Sequence, residues 1–305
     1  MAHSEDQFGE QRDSWYNSDF LRLLGERLGP ATGARSMLEV GFGHGHWSAT
    51  LAPLLPDLTF LAGVDFEARW VAEAPANLAD KLGPLPFRTQ FIQADAHRLP
   101  FEDDAFDLVT CQTVLMHLER PEVALAEMFR VARPGGLVLA AEPANLYPFL
   151  ALDSATIALG LEAQSAHSRL WLAVHRGRQR VGQGDWNLGD RLPGLFRRCG
   201  AEGFRCVLND KVKPICPPYD EQETRALLRF ELEWIDQVLS AERDRYRDLA
   251  VRGGLDATEA EGLLEIEGVC QAERRRQIEA GIFEAGGGGV HYLAWGFKAG
   301  QGVHE

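Results

Sequence analysis

The chain has 305 residues, enough for about two average domains or one large domain with insertions. Lys and Arg total 31 against 45 Asp and Glu, so the formal net charge is −14 at pH 7. This acidity disfavours non-specific binding of DNA or RNA, which needs basic residues to neutralise phosphates. Hydrophobic residues make up 45% of the chain and charged residues 25%, a composition that excludes a disordered chain.

The sequence predicts neither a membrane span nor a secretion signal. It has no run of about eighteen apolar residues, and its N-terminal stretch lacks the apolar core of a signal peptide. The five cysteines are scattered and form no Cys-x-x-Cys pair, which indicates reduced thiols rather than a disulfide framework or a zinc site. We therefore expect a cytoplasmic protein that binds no metal, no membrane and no nucleic acid.

The first predicted element is an amphipathic helix over Asp19–Leu28, which Trp15 and Tyr16 precede. Two interpretations of the aromatic pair stand side by side. The rings could close over a bound ligand as a lid, because aromatic faces attract cations, or they could anchor the helix by packing. We assign residues 1–35 to an N-terminal helical lid.

A central segment from about residue 36 to 142 alternates short apolar runs with helical patterns, which indicates a parallel sheet covered on both faces. The apolar runs are continuous, as in strands buried on both faces. The predicted strands are Met37–Val40, Thr59–Val64, Arg88–Ala94, Phe106–Gln112 and Gly136–Ala141, and the predicted helices are Trp47–Leu55, Glu67–Leu82 and Pro121–Ala132. The motif Arg133-Pro134-Gly135-Gly136 is predicted to break the chain between the last helix and the last strand.

The pattern after this core, which we bound at residues 36–146, is less regular. Residues 147–186 form an insertion of mixed helical character near the expected substrate site. Residues 187–210 resemble one more core helix and strand, over Asn187–Cys199 and Phe204–Asn209. The aromatic and histidine residues of the insertion either line a substrate pocket or pack in the interior, and they are His167, Trp171, His175 and Trp186.

A long helical stretch occupies residues 211–289, where the spacing of apolar residues predicts two helices. Thr258 and Glu261 form a predicted capping box before the second helix. The glycine run 286–289 is a predicted turn, and residues 290–305 hold a final aromatic-rich strand and a tail.

The strongest chemical signal is the turn Gly41-Phe42-Gly43-His44-Gly45 between the first strand and a helix. Glycines let the backbone bend sharply and let a ligand approach without a Cβ in the way. His46 stands where the dinucleotide fingerprint requires its third glycine, so a pyrophosphate site for NAD fits poorly. The turn alone is a weak motif.

Two acids follow the next strands. Asp65 ends the second strand, 20 residues beyond Gly45, which suits a carboxylate that accepts both hydroxyls of a ribose. Asp95 ends the third strand and is placed to accept a hydrogen bond from an adenine amine. Both lie at the carboxyl ends of strands, where open α/β sheets bind ligands. As an alternative, Asp65 would be the N-cap of the helix that starts near Glu67.

These motifs occur in the same order as in the class I S-adenosylmethionine-dependent methyltransferases. The chain resembles this family, in particular its small-molecule branch with the type 11 pattern. The resemblance rests on the glycine turn, the two acids, Phe106-Asp107-Leu108-Val109 leading to Leu115-Met116-His117-Leu118, and the Arg-Pro-Gly-Gly motif. It implies an α/β, Rossmann-like fold with a seven-stranded, mostly parallel sheet whose last strand is antiparallel.

The resemblance also implies S-adenosylmethionine as the cofactor, together with a set of binding residues. The implied set is Glu39, Gly41 and Gly43 at the methionine and ribose portion, Asp65 at the ribose hydroxyls, Asp95 with Ala96 at the adenine and Gln112 at the methionine portion, to which we add Tyr16 and Phe66.

The chain departs from the family between the sixth and seventh strands, where a tight hairpin is usual. About 75 residues lie there instead, and a loop of this length carries structure of its own, so we expect a helical cap. The first insertion would lie over the same end of the sheet. Residues 221–284 contain 16 acids and 9 bases, so the predicted cap holds half of the negative charge.

Methyl transfer from a sulfonium is an in-line displacement that the cofactor has already activated, so the protein mainly aligns the nucleophile and removes water. A nucleophile that carries a proton needs a base. The candidates are Glu142, which we rank first, and His117. Each has a structural alternative, since His117 could pack or bond a backbone carbonyl and Glu142 could be a surface or N-terminal cap residue.

The predicted function is methyl transfer to an oxygen, nitrogen or carbon nucleophile of a small organic molecule, for example a natural-product intermediate. One alternative is methylation of a peptide or protein side chain, with the acidic cap docking a basic partner. Another is a scaffold that binds the cofactor without catalysis. A homodimer is a candidate assembly.

Overall fold

The computed structural model describes residues 15–28, 33–147, 152–210, 212, 214–237, 242–286 and 289–300. Five predictions fall partly outside these residues. They are the N-terminal lid at residues 1–14 and 29–32, the first insertion at residues 148–151, the helical cap at residues 211, 213 and 238–241, the glycine turn at Gly287 and Gly288, and the tail at residues 301–305.

The described residues form two compact units. The core unit lies within Met1–Pro143, Leu188–Asp210 and His291–Glu305. The helical unit lies within Ala144–Asn187 and Lys211–Val290. Each unit is assembled from segments that are distant in the sequence, so neither is a continuous stretch of chain.

The core unit is organised around a seven-stranded sheet. Its strands are β1 (Ser36–Val40), β2 (Phe60–Asp65), β3 (Arg88–Gln93), β4 (Phe106–Gln112), β5 (Ala132–Pro143), β6 (Glu202–Leu208) and β7 (His291–Phe297). They lie in the order β3-β2-β1-β4-β5-β7-β6. The strand β7 is antiparallel to both of its neighbours, and the other neighbouring strands are parallel. The predicted Rossmann-like α/β fold with an antiparallel last strand is confirmed.

Helices flank the sheet and build the second unit. In chain order they are α1 (Ser18–Leu28), α2 (His46–Leu51), α3 (Ala68–Leu82), α4 (Pro121–Val131), α5 (Ser154–Ala158), α6 (Gly160–Arg180), α7 (Leu192–Arg198), α8 (Gln222–Asp236), α9 (Arg243–Gly253) and α10 (Ala257–Glu279). Among the described residues, none of these helices combines the length and the apolar composition that crossing a membrane requires.

The interior of the core unit is made by the apolar runs of the central strands. Met37, Leu61, Leu108 and Leu137 come from four different strands and are all buried in one cluster, which Leu24 of α1 joins. Burial of each such side chain contributes about 1.5–3 kcal/mol to folding. The continuous apolar pattern of these strands therefore reflects burial between helices on both faces of the sheet.

The Arg133-Pro134-Gly135-Gly136 motif does not separate a helix from a strand, so that prediction was wrong. The strand β5 begins at Ala132, directly after α4, and Ala132 pairs with Phe106 before the register shifts. The motif is a bulge inside the strand, where Gly135 has a φ of 72° and donates its N–H to the Lys298 carbonyl at 2.9 Å. Proline and glycine interrupt a ladder at a bulge as readily as they end a strand.

The helical unit depends on a close crossing of α6 and α9. A Cβ atom added at Gly177 of α6 would lie 1.9 Å from the Leu249 carbonyl oxygen of α9. In return, a Cβ added at Gly253 of α9 would lie 1.9 Å from the Ala173 carbonyl oxygen of α6. The two backbones thus approach so closely that only glycine fits at these two positions.

The described residues of the stretch 222–279 form three helices where two were predicted, and the predicted capping box is wrong by two residues. The N-cap of α10 is Asp256, whose Oδ1 accepts a hydrogen bond from the Glu259 N–H at 2.8 Å. Thr258 and Glu261 lie inside the helix. The sequence offers the same three-residue spacing twice, and Asp is at least as good an N-cap as Thr.

A buried polar network joins the helices of this unit. The Glu267 carboxylate is 0% exposed and lies 2.6 Å from His167 Nδ1, and it accepts a bond from Trp171 Nε1 at 3.4 Å. Two turns further along α10, Arg274 donates from Nη2 and Nε to Asp153 Oδ2 at 2.6 and 3.1 Å. His167 and Trp171 therefore pack in the interior of this unit. Interior packing was one of the two interpretations that the sequence left open.

Candidate cofactor site

The order of the strands places the candidate residues along one edge of the sheet. The strands β3, β2, β1 and β4 are neighbours and run parallel, so their carboxyl ends meet at the same edge. The candidates at these four ends are Asp95 and Ala96 after β3, Asp65 at the end of β2 with Phe66 after it, Gly41 and Gly43 after β1, and Gln112 at the end of β4. This is the edge at which open α/β sheets bind ligands.

The glycine turn has a backbone that side chains would obstruct. Gly41 has a φ of 71°, and a Cβ there would lie 2.2 Å from Val114 Cγ2. Gly45, the N-cap of α2, has a φ of 74°, and a Cβ there would lie 2.7 Å from the Phe42 ring. Both conformation and space therefore require glycine at these two positions.

The Asp65 carboxylate ties the turn to the next helix. Its Oδ2 accepts a hydrogen bond from the Gly43 N–H at 3.0 Å, and its Oδ1 accepts one from the Glu67 N–H at 3.0 Å. The N-cap of α3 is Glu67, so the alternative that made Asp65 the cap itself is wrong. The neighbouring Phe66 side chain is 73% exposed. An exposed aromatic ring next to a carboxylate is a suitable surface for a nucleoside.

Asp95 has a partner that the sequence analysis missed. Its Oδ1 accepts a hydrogen bond from the His97 N–H at 2.9 Å and lies 2.7 Å from His97 Nδ1. The hydrogen bond from the His97 backbone lowers the pKa of Asp95 below its usual range, so the carboxylate is ionised at neutral pH. The side chain is 55% exposed, while Ala96 is half-buried. The Asp-x-His spacing was the available signal.

Tyr16 and Gln112 meet at the carboxyl end of β4. Gln112 Nε2 donates a hydrogen bond to Tyr16 Oη at 2.9 Å, and both side chains are buried. The Tyr16 ring packs against Phe20 and Trp47 at centroid distances of 5.8 and 5.7 Å. Burial raises the pKa of Tyr16, so its hydroxyl keeps its proton.

Glu39 lies within β1 beneath the glycine turn and is 2% exposed. Its Oε2 accepts a hydrogen bond from the Ser48 hydroxyl of α2. A second bond fixes the same helix, since Trp47 Nε1 donates to Thr110 Oγ1 of β4 at 2.7 Å. These two buried bonds hold the start of α2 against β1 and β4, which positions the turn.

Glu142 is fully buried near the end of β5, so its interpretation as a surface residue is wrong. Its Oε1 accepts hydrogen bonds from the N–H groups of Val114 and Leu115 at 3.0 and 2.8 Å, and its Oε2 accepts one from Met116 at 3.2 Å. Burial raises the pKa of Glu142 to about 7, although the three N–H donors oppose that shift. The carboxyl group thus caps the turn that follows β4.

His117 ends that turn, a short 3-10 helix over Leu115–His117. Its N–H donates to the Val114 carbonyl at 3.0 Å, and the residue is half-buried. The chain enters the turn through Thr113, which has a φ of 53° and donates its N–H to the Ala141 carbonyl at 2.9 Å. The structure therefore brings His117 and Glu142 to the same turn.

The comparisons with known proteins all point to methyltransferases. Residues 38–140 match the family model described as a methyltransferase domain. The demethylmenaquinone methyltransferase of Roseiflexus castenholzii is 35% identical over 108 residues, which are 35% of this chain and 42% of that protein. The demethylmenaquinone methyltransferase of Lactococcus lactis is 32% identical over 120 residues, which are 39% of this chain and 46% of that protein. The chain thus matches less than half the length of these relatives.

A solved structure shares the fold. The YcgJ protein from Bacillus subtilis aligns with a TM-score of 0.50 and 18% identity over 93% of this chain and 99% of that chain. At this identity the likeness concerns the fold alone. The family match falls on the segment that carries the glycine turn, both acids and Gln112. Residues 38–140 therefore match the methyltransferase domain family, and the resemblance to class I S-adenosylmethionine-dependent methyltransferases that the sequence predicts is confirmed.

Proposed function

We propose that this chain is a methyltransferase that moves a methyl group from S-adenosylmethionine to an oxygen, nitrogen or carbon atom of a small organic molecule. The observation that carries the proposal is the bond between Asp65 and the Gly43 N–H, with the ionised Asp95 at the end of the adjacent strand. This pair of carboxylates beside a glycine turn offers acceptors for a ribose and for an adenine amine.

The described residues fit an adenosyl group at this edge. Gly41 and Gly43 have positive φ angles and carry no side chain at the turn, which lets a ligand approach the backbone. The exposed ring of Phe66 is available to lie against an adenine, and the exposed carboxylate of Asp95 to accept its amine. S-adenosylmethionine is the cofactor of the class of methyltransferase that these motifs resemble, and these features support it.

The bound cofactor supplies an activated methyl group, which leaves binding, alignment and proton transfer to the chain. Asp65, Phe66 and Asp95 hold the adenosyl portion in this proposal. Gln112 and Tyr16 form the wall at the methionine portion, where the buried Tyr16 ring excludes water and keeps its hydroxyl proton. Glu39 supports the turn from below through Ser48.

We assign proton acceptance to His117 rather than to Glu142. Both carboxylate oxygens of Glu142 already accept backbone hydrogen bonds, and the group is 0% exposed. Glu142 is therefore a positioning residue, which acts by holding the turn that ends at His117. Histidine is the side chain that most often serves as a general base.

A labelling experiment tests the proposal. The full chain is incubated with S-adenosylmethionine labelled in the methyl group and with cell extract, and label is measured separately in small molecules and in polypeptides. We expect label in the small-molecule fraction and formation of S-adenosylhomocysteine. Defined acceptors then follow, with demethylated quinones among them because the curated relatives are named for such an acceptor.

Other outcomes favour the other candidates. Label in polypeptides supports a protein acceptor, for which the 16 acids against 9 bases in residues 221–284 would serve as a docking surface for a basic partner. Cofactor binding without any S-adenosylhomocysteine supports a non-catalytic scaffold. The cytoplasmic location and the homodimer stay predictions, which cell fractionation and analytical sedimentation test.

A further inference from the structure

The segment Trp15–Asn17, which we call the strap, is bound to a part of the chain that is far away in the sequence. The Asn17 N–H donates to Asp210 Oδ1 at 3.4 Å, and Asn17 Nδ2 donates to Asp210 Oδ2 at 3.1 Å. Asp210 follows β6, and 193 positions separate the two residues. One carboxylate thus accepts both a backbone and a side-chain bond from the same strap residue.

A second contact fixes the other end of the strap. The Trp15 ring lies over the His291 ring, with centroids 4.4 Å apart and planes at 33°. Asn209 Nδ2 donates to the Trp15 carbonyl at 3.5 Å, while Asn209 Oδ1 accepts the His291 N–H at 2.9 Å. Asn209 therefore bonds the first residue of β7 and the strap with one side chain.

Tyr16 lies between these two attachments. Its neighbours in the strap bind residues after β6 and at the start of β7, whereas its own ring is buried and its hydroxyl accepts the Gln112 bond at the end of β4. The strap is held on both sides of Tyr16, and these attachments add to the packing on Phe20 and Trp47 that fixes the ring.

We propose that Asp210 and Asn209 are positioning residues that latch the strap, so that Tyr16 stays over the methionine end of the cofactor site and slows release of the cofactor. The inference rests on the proposed function, because it takes Gln112 and Tyr16 as part of that site. The bonds to Asp210 are exposed, and exposed bonds contribute modestly.

The test uses the full chain and measures how fast the cofactor leaves. Labelled S-adenosylmethionine is bound, chased with an excess of unlabelled cofactor, and the dissociation rate is compared between variants. We expect Asp210→Ala to raise the rate roughly three- to tenfold, the range given by loss of one or two such bonds. Asn17→Asp should raise it at least as much, because two carboxylates then face each other.

A double variant that exchanges the two side chains tests whether restoring the bonds restores slow release of the cofactor. In Asn17→Asp with Asp210→Asn, the new amide accepts the backbone N–H of residue 17 and donates to the new carboxylate, so both bonds re-form. We expect the dissociation rate of this double variant to return to within about twofold of wild type, and KM for the cofactor to recover with it. Throughout the series kcat should change less than KM. Asp80→Ala, an exposed acid of α3, is the control.

The outcomes separate the two proposals. If the wild-type chain does not bind S-adenosylmethionine at all, the proposed function fails. If the wild type binds and Asp210→Ala releases the cofactor at the wild-type rate, the latch is overturned. If Asp210→Ala does not fold, the dissociation rates of Asn17→Asp and of the double variant are compared instead. A double variant that releases the cofactor as fast as Asn17→Asp also overturns the latch.

Discussion

The Asp65 carboxylate accepts a hydrogen bond from the Gly43 backbone N–H at 3.0 Å, so the acid that ends β2 holds the turn that follows β1. The other oxygen of the same carboxylate accepts the N–H at the start of α3. One side chain thereby joins two βα units at the edge where the cofactor is proposed to bind. The group shapes the turn and is placed to contact the ribose.

Replacement of Asp65 by alanine should weaken binding of S-adenosylhomocysteine. The variant loses a charged acceptor for the ribose and the bond that holds the glycine turn, which together correspond to roughly a 10- to 100-fold increase in Kd. Isothermal titration with S-adenosylhomocysteine measures this. Asp65→Asn, which keeps one acceptor oxygen, should lie between, and Asp80→Ala should bind as wild type does. Equal affinity of Asp65→Ala and wild type would contradict the assignment.

Gly41→Ala should destabilise the core unit by more than Gly200→Ala. Both residues have positive φ angles, 71° and 73°, which cost an L-residue about 1–2 kcal/mol. Only at Gly41 does the new Cβ also meet Val114, at 2.2 Å, and such overpacking adds about 1–3 kcal/mol. Urea unfolding of the two variants measures the difference. Val114→Ala should recover part of the loss in Gly41→Ala, and no recovery would show that the clash is not the cause.

As the pH rises from about 4.5 to about 7, the titration of Glu142 should lower the stability of the protein. Burial raises the pKa of Glu142 from 4.5 to about 7 in the folded state, so the folded protein holds this proton more tightly than the unfolded chain. Its contribution to stability is complete below pH 4.5 and is lost as the pH rises through 7, with an upper limit of about 3 kcal/mol.

The measurement for Glu142 is urea unfolding of wild type and Glu142→Gln at pH 4.5, 6 and 7.5. Glutamine at this position does not titrate, and it keeps an acceptor for the Leu115 N–H. The stability of wild type relative to Glu142→Gln should therefore decline with pH. A difference that is constant or that grows with pH would contradict the raised pKa.

Arg274→Met should destabilise the helical unit much more than Arg275→Met. The first substitution leaves the buried Asp153 carboxylate without its ion-pair partner, a loss of about 3–5 kcal/mol. Arg275 pairs instead with Asp236, whose side chain is 73% exposed, and such pairs contribute about 0–1 kcal/mol. Hydrogen exchange of α6 and α10 follows the loss within this unit. Similar protection in the two variants would contradict the prediction.

The same pair predicts acid sensitivity. Burial alone would raise the pKa of Asp153, but Arg274 and the Thr156 N–H lower it below its usual range. A lowered carboxyl pKa stabilises the folded state above the unfolded value near 4 and loses that contribution as the pH falls below it. Wild type should lose stability below about pH 4 in unfolding experiments, and this slope should be shallower in Arg274→Met.

Sequence patterns predicted the elements of the core closely because each depends on neighbours in the chain. The boundaries of β4 and the end of α3 were predicted to the residue, since an apolar run between turn signals marks them. The errors occurred where one local signal has two structural outcomes. Arg133-Pro134-Gly135-Gly136 forms a bulge instead of a break, and Asp256 rather than Thr258 caps α10.

The contacts of Glu142 could not be predicted from the sequence. Its position at the end of an apolar strand predicted that it lies near the proposed site, and in the structure its carboxylate contacts the turn that ends at His117. Its three bonds come from backbone N–H groups 26 to 28 positions away. Every residue except proline has a backbone N–H, so the residue types do not reveal which of these groups bond to Glu142. Burial and pKa follow from those contacts, so neither was predictable.

The sequence by itself determined the α/β class, the glycine turn and the acids Asp65 and Asp95, because strand ends, positive φ angles and carboxylates are properties of single residues and short patterns. Only the tertiary structure decided what these groups touch. The bonds from Asn17 to Asp210 and from Gln112 to Tyr16 join residues 193 and 96 positions apart. No local pattern encodes such a pairing, since it arises only when the fold brings segments that are distant in the sequence to one edge of the sheet.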